Sequence, residues 1–240
     1  MKIAEKIKKK IKRMPEGTTF KYQQLDLSKT EYSGAAKAIE RLINEGVIKR
    51  ITKGVFYKPK KSVFGELRPT ETEIIKPYLY EQGKRIAYIT GTVLYNNMGV
   101  TTQVPKIVKI ASRSKRIYID SGSIKAKPVK SYIDVTEGNY SLLEILDVLK
   151  DFTKIPDLDK ESGIRFLKDK LNGLSEKETN MLVKYALKYP PRVRAFLGAL
   201  LNEITGQENR NLKQSLNPLT TYRFNLNEDT LKTAPNWNIK

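Results

Sequence analysis

Residues 20–59 read FKYQQLDLSKTEYSGAAKAIERLINEGVIKRITKGVFYKP, and this stretch decides the fold of the front of the chain. From Gly34 to Glu45 the apolar residues Ala35, Ala36, Ile39, Leu42 and Ile43 recur at spacings of three and four, which predicts one buried helical face. Lys37, Glu40, Arg41 and Asn44 fall on the opposite stripe. Ser28, Thr30 and Ser33 stand where side-chain oxygens cap a helix start, and Gly46 stands just past the end, where a left-handed residue closes the last turn. Val47–Ile51 and Val55–Tyr57 are two short β-branched and aromatic runs around Thr52-Lys53-Gly54, which predicts a hairpin directly after the helix. Helix and hairpin together are the pattern of a winged helix-turn-helix.

A helix of this kind lies in a DNA major groove with residues near its N-terminus against base edges, while the hairpin follows the backbone. The expected base-edge contacts are Lys29, Thr30, Tyr32, Ser33 and Lys37; the expected phosphate contacts are Arg41, Arg50 and Lys53. An ordinary solvated basic face on a small helical domain is the plainer alternative. Upstream, residues 2–13 place Ile3, Ile7 and Ile11 at spacing four among lysines and Arg13, an amphipathic first helix ended by Met14-Pro15-Glu16-Gly17.

Composition supports a polyanionic partner. The 240 residues carry 45 Lys and Arg against 26 Asp and Glu, a net charge of +19. Residues 1–68 alone hold 18 basic and 7 acidic side chains, so more than half of the excess lies in the first third. No apolar run approaches the roughly 20 residues of a membrane-spanning helix, and a cytoplasmic protein without a membrane partner is expected. The chain contains no cysteine and no histidine, which removes disulfides, Cys/His zinc sites, thiol nucleophiles and imidazole bases.

Behind the hairpin, residues 62–68 read as a linker, so the expected domains are 1–64, the winged helix-turn-helix, and 65–240, a mixed domain with an extended C-terminal tail. Pro69-Thr70-Glu71-Thr72-Glu73 opens a helix to about Gln82 that Pro77 should kink. Ile86–Ile89 reads as a strand and Thr90-Gly91 as the start of a helix that runs through Val93, Leu94, Asn97 and Met98 and closes at Gly99. Ile107–Ala111, Arg116–Asp120 and Ser123–Pro128 suggest a small antiparallel sheet. Lys106, Lys109, Arg113, Lys115, Arg116, Lys125, Lys127 and Lys130 make this sheet basic, either to deter edge pairing or to form a contact surface.

From Tyr140 the periodicity is helical, with a capping box at Ser175 and Glu178 and a proline start at Pro190-Pro191. Past Gly206 an asparagine-rich tail carries Leu216, Leu219, Tyr222, Phe224, Leu226 and Trp237, too apolar to remain in solvent. The fold class is α+β, with the winged helix-turn-helix in front and a helical half at the end.

No catalytic constellation emerges, and neither an enzyme nor a cofactor is expected. Gly122-Ser123 with Asp134-Val135-Thr136 is similar to the Gly-Ser and paired-acid pattern of nucleotidyltransferases, but Thr136 stands where a second Mg²⁺-binding carboxylate is needed. Asp147, Asp151, Asp157 and Asp159 alternate with apolar positions as a solvated face would.

Gly54-Val55-Phe56-Tyr57-Lys58-Pro59, then Tyr88-Ile89-Thr90-Gly91, then Met98-Gly99-Val100-Thr101-Thr102-Gln103-Val104-Pro105 followed by a basic strand, resemble the AbiEi-like antitoxins of bacterial abortive-infection systems. The resemblance spans about residues 1–205. It implies a repressor that binds double-stranded DNA at repeats in its own promoter and counters a nucleotidyltransferase-like toxin encoded alongside, without a stable complex between the two. It marks Thr90–Gln103 as a domain signature and assigns no individual role to Thr102 or Gln103. A winged-helix regulator answering to a ligand or partner, with no toxin, is the alternative.

Overall fold

The computed structural model describes residues 3–63, 65–121, 124–226 and 229–240, with Lys29 described in its backbone alone. Phe64, Gly122 and Ser123 therefore lie outside the described residues. The fold is α+β and divides into two compact units, residues 1–87 with 119–124, and residues 88–118 with 125–240.

The first unit begins with α1 (Ile3–Arg13), β1 (Thr19–Lys21), a 3₁₀ turn at Tyr22–Leu25 and another at Lys29–Glu31 that runs into α2 (Tyr32–Asn44). The hairpin β2 (Lys49–Thr52) and β3 (Val55–Tyr57) follows, with Gly54 at a φ of 78° in its turn. The strands form an antiparallel sheet in the order β1-β3-β2, with Phe20 opposite Phe56 and Arg50 opposite Phe56 on the other side. Ile7 and Ile11 of α1 meet Ala35, Ala38, Ile39 and Leu42 of α2 over Phe20 and Phe56. One detail of the helical periodicity is corrected: Ala36 is exposed and Ala38 takes the buried place, since Ala38 lies three residues from Ala35 and four from Leu42 on the face that packs inward. Lys58 closes α1 from below, its Nζ donating to the carbonyls of Lys12 (3.1 Å) and Met14 (2.7 Å) at the negative end of the helix.

The segment after the wing is not a linker. It folds as a ribbon of β4 (Lys60–Ser62) and β5 (Gly65–Leu67), followed by α3 (Glu71–Leu79) and a small hairpin of β6 (Tyr80–Glu81) and β7 (Lys84–Arg85). Thr70 caps α3 by accepting from the Glu73 N–H, and the helix accommodates Pro77 in its last turn, ending before Gln82. The helix stops at Leu79 because Tyr80 is already extended and opens the small hairpin, whose turn holds Gln82 and Gly83 at positive φ. The division between units comes at 87/88 rather than 64/65, since α3 packs on β1 and the Thr19 hydroxyl donates to the Glu73 carbonyl.

The second unit takes up β8 (Ala87–Thr90), α4 (Thr92–Asn97) and β9 (Ile107–Ser112). The short β10 (Ile119–Asp120) lies in the segment that groups with the first unit, and β11 (Lys125–Lys130) returns to the second. β9 lies between β8 and β11. β9 and β11 pair parallel, Ile107 with Lys125 through Ser112 with Lys130, which corrects the antiparallel expectation for these runs. Residues 113–124 intervene between the two strands, and a connection of about a dozen residues is what a parallel crossover requires.

The helical half consists of α5 (Tyr140–Asp151), α6 (Lys160–Asn172), α7 (Glu176–Ala186), α8 (Pro191–Thr205) and α9 (Arg210–Gln214). Ser175 and Glu178 form the anticipated capping box, and Pro191 occupies the first turn of α8. The core gathers on α8, whose Val193, Ala195, Phe196, Leu197, Ala199 and Leu200 are fully buried. The tail docks there: Tyr222, Phe224, Leu231, Ala234, Trp237 and Ile239 belong to the same core. Leu219, by contrast, is 91% exposed. Phe224 stacks at 4.4 Å from Phe196, and a parallel bridge joins Tyr222 to Ile239.

Candidate nucleic-acid interface

The face of α2 turned away from the core carries Tyr32, Ser33, Ala36, Lys37, Glu40, Arg41 and Asn44, all exposed, in one continuous stripe. Burial of Ala35, Ala38, Ile39 and Leu42 on the other side fixes this orientation, so the polar stripe is a consequence of the helix's own periodicity. Thr30 is exposed on the 3₁₀ turn that leads in, its Oγ1 lying 3.1 Å from the Ser28 hydroxyl. The Lys29 side chain lies outside the described residues. On the wing, Arg50 and Lys53 are exposed.

Tyr22 links these two pieces. Its ring stands edge-on to Phe56 at 5.2 Å and 6.3 Å from Tyr32, and its hydroxyl is pushed above the ordinary phenol value by burial, with Arg50 opposing and Glu40 reinforcing the shift. Arg50 of the wing and Glu40 of α2 therefore act on one side chain. Arg50 sits over the Phe56 ring at 5.8 Å. All the expected contact residues whose side chains are described are exposed in this unit, and periodicity had already placed Glu40 beside Lys37 and Arg41.

The lysines of the first helix divide. Lys6 pairs with Glu31 at 3.6 Å, Lys10 with Asp26 and Lys8 with Glu45 at 3.9 Å, which ties α1 to the turn before α2 and to the residue after it. Exposed pairs of this kind add little to stability, because water screens them. Glu31 is held below the usual carboxylate range by the N–H and hydroxyl of Ser28, with Lys6 adding to it. Lys9, Lys12 and Arg13 are exposed at the helix surface.

In the second unit the signature residues turn inward. Tyr88 and Thr90 donate to the Asp147 carboxylate at 2.9 and 2.6 Å, and Lys150 approaches its other oxygen at 2.6 Å. Asp147 is 2% exposed, so the reading of its helix acids as a solvated face is corrected at this position. Burial draws the Lys150 ammonium down, and the Asp147 carboxylate more than reverses this, leaving it above the ordinary lysine value. Burial first, and Asp147 second, push the Tyr88 hydroxyl far up. Gly91 takes a φ of 70° under the aliphatic stem of Lys109, where a β-carbon would collide. Thr101 donates to the Pro156 carbonyl at 2.7 Å and Gln103 to Asp157 at 2.6 Å. The signature thus ties β8 and the loop after α4 to α5 and its following turn.

The eight expected basic residues of this unit's sheet region are all exposed; Lys109 and Lys127 are partners in the parallel register, and Tyr118 is 67% exposed. Among the described residues no group of three or more Asp, Glu, His or Cys is placed to hold a metal, and no helix is long and apolar enough to cross a membrane.

A model of a family described as being of unknown function, DUF6088, matches residues 6–168. Among solved structures, the chain is similar to the crystal structure of the RV2827C protein from Mycobacterium tuberculosis. The identity is 12%, the coverage 99% of this chain and 90% of that one, and the TM-score 0.50. At that identity the likeness is one of fold. No curated protein matches the chain.

Proposed function

The chain belongs to the DUF6088 family, and we propose that it is a regulator that binds double-stranded DNA through α2 and the β2–β3 wing. The observation that carries this is the exposed stripe of Tyr32, Ser33, Lys37 and Arg41 on a helix followed at once by a hairpin bearing Arg50 and Lys53. Lys37 and the residues at the helix start read base edges; Arg41, Arg50 and Lys53 neutralise phosphates. The charge excess in residues 1–68 supplies the sequence-independent part of the affinity.

Arg41→Ala and Arg50→Ala test the assignment. Each is expected to weaken binding and to flatten the slope of log affinity against log salt by about 0.9 per lost phosphate contact. Unchanged slopes in both variants, measured by fluorescence anisotropy, would place the phosphate contacts elsewhere.

The AbiEi-like resemblance extends this reading to a cytoplasmic autorepressor that binds repeats in its own promoter and acts as antitoxin to a nucleotidyltransferase-like toxin, without a stable complex. Growth of cells co-expressing the full chain with such a toxin supports that extension. Arrest despite a folded, expressed chain would restrict the protein to DNA binding.

A further inference from the structure

Lys60–Ser62 and Gly65–Leu67 pair as a two-stranded antiparallel ribbon that stands out from the wing. Its register sets Lys60 opposite Leu67, Lys61 opposite Glu66 and Ser62 opposite Gly65, and the Ser62 hydroxyl closes the turn on the Gly65 carbonyl at 2.8 Å. Lys60, Lys61, Val63 and all three residues of β5 are exposed and Ser62 is half-buried, so none of the ribbon's described residues is buried in the core. An isolated two-stranded ribbon is marginal in water. Here Glu66 secures it, accepting the Tyr57 hydroxyl on one carboxylate oxygen at 3.0 Å and pairing with Lys49 through the other at 2.8 Å. Lys49 and Tyr57 are themselves register partners across β2 and β3, so Glu66 fastens the ribbon to the wing at one cross-strand pair. The Lys49 bond is the largest influence on Glu66 and holds it below the usual carboxylate range.

With Glu66 engaged in this way, the ribbon presents Lys60 and Lys61 along one strand and Arg68 just past the other, all exposed. Next to its turn Val63 is 95% exposed, and Leu67 is 47% exposed, aliphatic groups on the same arm as Lys60 and Lys61. Beside the wing edge lies a groove of about 610 Å³ in which Lys49, Arg50 and Arg68 face Glu66 and Glu71. Cationic rails suit a sugar-phosphate backbone, and an apolar side chain at the end of a basic arm suits a minor groove, where such groups wedge against base steps.

We infer that the β4–β5 ribbon is a second wing, which grips the backbone of the duplex through Lys60 and Lys61 and places Val63 in the minor groove beside the segment contacted by α2. This deepens the DNA-binding reading and rests on it. The ribbon adds affinity and bends or widens the flanking groove; base-edge discrimination stays with α2.

The test uses the full chain, a duplex from upstream of its own gene and a scrambled duplex. Lys60→Glu with Lys61→Glu is expected to weaken binding to both duplexes alike, by about tenfold or more, and to flatten the salt slope by about 1.8. Hydroxyl-radical protection of one flanking minor groove is lost while protection around the α2 contact remains. Val63→Ser is expected to lower affinity without changing the slope, since an apolar contact releases no counterion. Wild-type affinity, slope and footprint in the lysine double variant would overturn the inference. So would a changed sedimentation coefficient with unaltered DNA binding, which would make the ribbon a contact between copies of the chain. If the unaltered protein binds neither duplex, the DNA-binding reading itself fails, an outcome distinct from failure of the ribbon alone. Circular dichroism of the variants checks that these exposed substitutions leave the fold in place.

Discussion

Replacing Trp237 with alanine is expected to destabilise the second unit by about 3–5 kcal/mol, as truncation of a large buried aromatic does. The indole is 1% exposed and its Nε1 donates to Asn202, itself nearly buried, at 3.3 Å. Removing it leaves a cavity against α8 and an amide without its donor. Gly198 explains how the ring approaches so closely: a β-carbon there would collide with the six-membered ring of Trp237. Gly198→Ala should gain up to about 1 kcal/mol of helix propensity and still lose overall, by about 1–3 kcal/mol of overpacking. Trp237 is the sole tryptophan, so its emission reports the event. A red shift in Gly198→Ala under native conditions signals release of the tail, and urea unfolding followed by circular dichroism measures the loss in both variants. A Gly198→Ala protein with unshifted emission and unchanged stability would contradict the docking of the tail on α8.

Asp147→Ala is expected to cost a comparable amount, about 3–5 kcal/mol, because it strands the Lys150 ammonium and the hydroxyls of Tyr88 and Thr90 in the interior. Lys150 keeps about a fifth of its side chain in solvent, which places the value toward the lower end. The asymmetry is the diagnostic result. Asp147→Leu combined with Lys150→Met removes both charges and should be milder than Asp147→Leu alone, a coupling that the cycle through Asp147→Leu, Lys150→Met and their combination measures directly. The same cluster sets the alkaline limit. Lys150 and Tyr88 both hold their protons more tightly when folded, so their contribution is complete below their ordinary values of 10.5 and 10.0 and is lost as pH rises beyond them. Urea midpoints that fall more steeply above pH 10 in the unaltered protein than in the double variant are the expected outcome.

Residues 20–59 were legible because two independent signals coincide there. A period near 3.6 marks the buried face of α2, and the glycines at 46 and 54 mark the positions where the backbone turns left-handed. The direction in which β9 and β11 pair was not, since alternation along each strand is the same for parallel and antiparallel neighbours, and the crossover through residues 113–124 decides between them. The described residues of the β4–β5 ribbon show no alternation of buried and exposed positions, and so the stretch read as a linker. Asp147 looked like its neighbours in α5; its partners Tyr88 and Thr90 lie 59 and 57 residues away, beyond any local pattern. The tail announced by its apolar content that it docks, while the complement it needed, a glycine in α8, carries no sign of its role in a single sequence.

The base-contact face of α2 was set by periodicity alone, and it stands on the same helix as Arg41 in a unit whose wing bears Arg50 and Lys53. Anisotropy titration of the full chain with a labelled duplex from upstream of its own gene, against a scrambled duplex of equal composition at near-physiological salt, measures whether that face reads sequence. The account predicts affinity for the upstream duplex at least about a thousandfold tighter than for the scrambled one. Equal affinity for the two duplexes at every salt concentration would contradict it.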